Sequence, residues 1–83
     1  MTYRDFWKLK KGDVIEDSYR NRRMRVVKRR VFDEIVAAGF NNGKTEFLTG
    51  NRKIVELTVM TDERQTFYYN SDRAFFYKDL KKI

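Results

Sequence analysis

Apolar and polar side chains alternate most cleanly between Lys53 and Thr61, where Val55, Leu57 and Val59 fall on one side and Glu56 and Thr58 on the other. A period of two marks a half-buried strand. Gln65 to Asn70 repeats it, with Phe67 and Tyr69 on one face and Tyr68 on the other. Thr45 to Thr49 reads as another strand, and Val14 to Tyr19 as an extended segment that ends at Arg20-Asn21. The breaks are turn chemistry: Lys11-Gly12-Asp13, Asn41-Asn42-Gly43, Gly50-Asn51 and Thr61 to Arg64. Asn-Gly favours the left-handed conformations of a type I′ hairpin turn. The predicted core is Val55, Leu57, Val59 and Phe67.

The two ends read as helical. Thr2 can cap a short helix within residues 2–9, with Asp5 in its first turn and Phe6 and Leu9 on one side. Trp7 would pack this helix onto the sheet. Ser71-Asp72 opens a second short helical segment with Phe76, Leu80 and Ile83 on one side. Residues 22–38 carry two patterns. Val26, Val27, Val31, Phe32, Ile35 and Val36 favour a strand. Met24, Val27, Val31, Ile35 and Ala38 make a helical stripe that Gly39 would end. The strand is the preferred reading.

The expected fold is a single domain, residues 1–83, mainly β. It is a small antiparallel barrel of about five strands with a short N-terminal helix and a short C-terminal helical segment. Leu9-Lys10-Lys11-Gly12-Asp13-Val14-Ile15 resembles the first strand of SH3-like barrels of the Tudor and KOW type. The resemblance implies a barrel that binds RNA, DNA or peptides, without choosing among them.

Composition narrows the function. The chain has 83 residues, too few for a large core or a deep cleft. There is no Cys and no His, so disulfides, thiol chemistry and the usual zinc, copper and haem ligands are excluded. No segment approaches the ~20 apolar residues of a membrane span, and the acid at Asp5 and missing apolar stretch argue against a signal peptide. A cytoplasmic location is expected. Ser18 and Ser71 have no His base, and the acid pairs Glu16-Asp17, Asp33-Glu34 and Asp62-Glu63 are adjacent, so on strands they diverge. An enzyme, a cofactor and a small-molecule substrate are not expected.

Charge is the feature that points to a function. Arg20, Arg22, Arg23, Arg25, Lys28, Arg29 and Arg30 are seven basic residues in eleven, with no acid among them. The chain has 19 Lys and Arg and 12 Asp and Glu, so these seven alone account for the net charge of +7. Six of them are Arg, whose planar fork matches phosphate and stacks on bases. On a strand, Arg23, Arg25 and Arg29 would share a face; on a helix, Arg22, Arg25 and Arg29 would form a stripe. Tyr19 and Tyr68 are candidate base-stacking residues. The expected function is nucleic-acid binding, DNA or RNA, mostly through phosphates and with limited sequence specificity. The alternative is an adaptor or inhibitor that grips an acidic protein surface, a class frequent among phage-encoded factors.

Overall fold

Two long strands carry most of the chain. In the computed structural model, which describes residues 1–72 and 74–83 and the side chains of all of these but 74–76, Arg22–Asn41 (β2) and Lys44–Met60 (β3) run antiparallel. Residues 22–38 therefore resolve as strand. Val26, Val31 and Phe32 find cross-strand partners in Val59, Val55 and Ile54, which an isolated helix would have left unmatched. The hairpin turns at Asn42 and Gly43, with φ of 51° and 78°. Both signs suit a type I′ turn, and the Asn-Gly pair meets that demand with little strain.

Val14–Asp17 (β1) and Thr66–Asn70 (β4) flank this pair, and Leu80–Lys82 (β5) lies outside β1. The result is one five-stranded antiparallel sheet in the order β4-β3-β2-β1-β5. Among the described residues β4 and β5 are not paired with each other, so the sheet is not closed. One short helix, Tyr3–Trp7 (α1), covers one face. Its capping box is complete: Asp5 N–H donates to Thr2 Oγ1 at 3.1 Å and Thr2 N–H to Asp5 Oδ2 at 3.2 Å. No helix among the described residues is long and apolar enough to cross a membrane.

The core lies between this helix and the sheet. Phe6, Leu9, Ile15, Met24, Val26, Val55, Leu57, Val59, Tyr69, Tyr77 and Leu80 are buried together, each aliphatic contributing roughly 1.5–3 kcal/mol by leaving water. Val55, Leu57 and Val59 are fully buried, as their alternation requires. Phe67 is only half-buried: it packs against the core from its rim, and the Arg22 guanidinium covers its ring at 3.4 Å. Trp7 packs half-buried against the core. Phe76, expected on one side of the C-terminal helical segment, falls outside the described side chains.

Two sequence expectations need correction. Gly50-Asn51 is not a turn, since β3 runs through it unbroken. A Cβ at Gly50 would lie 3.0 Å from the Val36 methyl and 3.4 Å from Glu34 Oε2, so this glycine serves a close approach beside an irregular register. The C-terminal helical segment is a 3₁₀ stretch, Ala74–Asp79, which gives way to β5. Leu80 is thus a buried strand residue, and Ile83 is exposed.

The outline is elongated. The radius of gyration is 15.1 Å and the extents are 48 × 26 × 21 Å, whereas a compact chain of this length would have a radius of about 12 Å. The excess is the β2–β3 ribbon. β1 pairs with β2 only over Arg22 to Arg25, and β4 with β3 only over Glu56 to Met60. Beyond the buried Ile54 and Val55, residues 35–49 of the hairpin are all exposed and project as an arm.

Candidate nucleic-acid interface

The basic run lies on β2, where one extra residue decides which way each side chain points. Val26 faces Val59 across the ladder and Lys28 faces Thr58, so Val27 is a bulge. Directly opposed residues share a face. Before the bulge, Met24 and Val26 point into the core and Arg23 and Arg25 point out. After it, Arg29 lies opposite buried Leu57, while Lys28 and Arg30 lie opposite Thr58 and Glu56. Arg23, Arg25, Lys28 and Arg30 therefore occupy the solvent face. Arg29 does not: the bulge moves it to the core side, where it donates to the Trp7 carbonyl at 3.1 Å and lies over the indole at 5.9 Å. The expected row of Arg23, Arg25 and Arg29 is corrected accordingly.

The pairing carries this face across the sheet. Thr58 lies opposite Tyr68 on β4, so Lys28, Thr58 and Tyr68 form one row. Tyr68 is 68% exposed, the opposite of its buried neighbour Tyr69. Arg25, Met60 and Thr66 make a second row, and Arg30, Glu56 and Asn70 a third. Arg23 lies opposite Glu16, and Glu16 opposite Lys81. The face thus holds Arg23, Arg25, Lys28, Arg30 and Lys81 against Glu16 and Glu56, five cations less two carboxylates, or +3.

The remaining predicted residues do other work. Asp17, fully buried at the end of β1, accepts from the Tyr69 hydroxyl at 2.6 Å, from the Arg20 backbone N–H at 3.0 Å and from the Arg20 guanidinium at 3.0 Å. Burial pushes the Asp17 carboxyl upward, but the hydrogen bonds from Tyr69 and Arg20 outweigh this and hold it below its ordinary 3.8. Arg22 donates to the Tyr69 hydroxyl at 2.8 Å. Arg20 and Arg22 are therefore committed to a structural network. Tyr19 stands on the turn after β1, 77% exposed, with the Arg20 guanidinium 5.5 Å from its ring. It is not on the strand face with Tyr68.

No protein-family model, no curated protein and no solved structure matches this chain.

The site must therefore be judged on its chemistry alone. Arg23 pairs with Glu16 at 3.2 Å and Arg30 with Glu56 at 3.1 Å, with both Arg side chains more than half exposed. Such pairs are worth only about 0–1 kcal/mol and yield readily to a phosphate. Arg25 donates to the Gly12 carbonyl at 3.0 Å, which holds its guanidinium against the turn that leads into β1. Lys28 has no hydrogen bond or ion pair among the described residues, and it is the cation in line with Tyr68. Sequence reasoning missed Lys81, since its stretch read as helix, and missed Thr58 and Met60, which carry no charge signal.

Proposed function

We propose that this chain binds nucleic acid across the solvent face of its sheet. Arg23, Arg25, Lys28 and Arg30 contact the phosphate backbone, and Tyr68 stacks on an unpaired base. The observation that supports this reading most is the bulge at Val27, which sets Lys28 and Arg30 on the same face as Arg23 and Arg25, in cross-strand line with an exposed tyrosine. A row of cations beside an aromatic platform suits single strands, because every base has a π-face and every nucleotide a phosphate. In this reading the chain is a binding module and not an enzyme. Its sheet is taken as a variant of the SH3-like barrels that Leu9 to Ile15 resembles.

The test is a titration of labelled single- and double-stranded DNA and RNA at several salt concentrations. For three to four phosphate contacts, the logarithm of affinity should fall with the logarithm of salt at a slope of roughly −2 to −3 on single strands. Binding weaker than about 100 μM at 50 mM salt for every form, below ordinary non-specific affinity, would overturn the reading. It would then favour an acidic protein surface as the target of the same cations.

A further inference from the structure

The arm is the part of the molecule that nucleic-acid binding does not use. All fifteen residues from 35 to 49 are exposed. A two-stranded ribbon in water is marginally stable without something against it. Its two faces differ sharply. Ile35 lies opposite Thr49, Ala38 opposite Phe47 and Phe40 opposite Thr45. By the alternation of β3 these three rows share one face, which carries no charge at all. The other face holds Ala37, Gly39 and the exposed Leu48 together with Asn41 and both charges of the arm, Lys44 and Glu46, with Asn41 Nδ2 donating to Glu46 Oε1 at 3.4 Å.

We infer that the uncharged face of this arm is the contact surface for a second copy of the chain, packed face to face about a two-fold axis. The shape of the face argues for a self-partner. Each cross-strand row pairs one large side chain with one small one, and the large one changes strand from row to row: Ile35 on β2, Phe47 on β3, Phe40 on β2. Ridges thus alternate with hollows over Thr49, Ala38 and Thr45. A two-fold copy can seat its rings in these hollows, which is the self-complementarity an isologous interface requires.

Charge argues against an acidic partner at this face: the chain carries +7, and such a partner would be drawn to the basic strand face and find nothing to pair with here. Pairing through the open strand edges is disfavoured, because register shifts between Asp33 and Ile35 and between Ile35 and Ala37 break both edges at the arm's root. Ile35, Phe40 and Phe47 are 54%, 77% and 59% exposed. Covering this face on two copies removes on the order of 800–1,200 Å², the size of weak complexes, so the dimer should come apart on dilution.

Sedimentation velocity on nucleic-acid-free protein, from about 5 to 500 μM, tests this. The expected result is a monomer–dimer equilibrium that stops at two. Phe40→Ser and Phe47→Ser should each weaken it at least tenfold with an unchanged circular dichroism spectrum, since both rings are exposed. Glu46→Ser, on the opposite face, should leave it intact. A single chain mass at every concentration, a dimer that survives both Phe substitutions, or growth beyond two would each overturn the inference. Lys28→Ala should not affect the equilibrium, so the dimer and the nucleic-acid site fail or stand separately.

Discussion

The Tyr69 hydroxyl donates to Asp17 Oδ2 at 2.6 Å while accepting from Arg22 at 2.8 Å, which ties β4 to β1 and β2 across the end of the core. Because these hydrogen bonds lower the Asp17 pKa, its contribution to stability is present above the ordinary carboxylate value and disappears as pH falls through the lowered one. Asp17→Asn should destabilise the fold by roughly 2–3 kcal/mol at pH 7, less than a fully buried pair because Arg20 is 41% exposed. Urea melts of the wild type and the variant should converge as pH drops below about 4. Parallel curves at every pH would mean that the carboxylate charge is not what Tyr69 and Arg20 stabilise.

Tyr77 gives the opposite sign. Burial, aided by Tyr3 and Asp72, raises its hydroxyl to about 12. Stability linked to it is complete below the ordinary tyrosine value near 10 and is lost as pH rises towards 12. Absorbance at ~295 nm, where tyrosinate is read, should show a late step. Tyr77→Phe should shrink that step and leave the part due to Tyr69, which burial also raises.

Leu57 is fully buried, and Leu57→Ala should cost roughly 2–4 kcal/mol in chemical denaturation. A loss under about 1 kcal/mol would place β3 one residue out of register.

Lys28 and Arg29 are adjacent but point to opposite faces. Lys28→Ala should lower nucleic-acid affinity and reduce the salt slope by about one unit, with stability unchanged to within ~0.5 kcal/mol. Arg29→Ala should instead loosen the Trp7 contact and lower the melting temperature, with little change in slope. Tyr68→Ala should cost ~1–3 kcal/mol of single-strand affinity and leave the slope alone. Equal effects of Lys28→Ala and Arg29→Ala on the slope would refute the bulge-defined face.

Much of the sheet was legible because its signals are local. The alternation through Val55, Leu57 and Val59, the Asn42-Gly43 turn and the Thr2–Asp5 cap each need only a few neighbouring residues. What could not be read depends on distant partners. β5 forms three residues from the chain's end, against a strand more than sixty residues earlier. Gly50 looks like a turn until Val36 is seen against it. The site suffered most. A bulge adds one residue without changing composition, so nothing in Arg25-Val26-Val27-Lys28-Arg29 says where the pleat reverses. The acids that partner Arg23 and Arg30 come from other strands, which made the basic run look more isolated than it is.

The arm and the body share two unbroken strands, and this sets how the molecule would bear a mechanical load. A pull on the Asn42-Gly43 tip along the strands cannot unzip β2 from β3, because the turn joins them. The tension passes into the β1–β2 and β3–β4 ladders, whose hydrogen bonds lie across the pull and must shear together. The projecting ribbon is therefore anchored as a tenon is in its joint: it can bend at the bulges near its root, but drawing it out would require the whole sheet to fail at once.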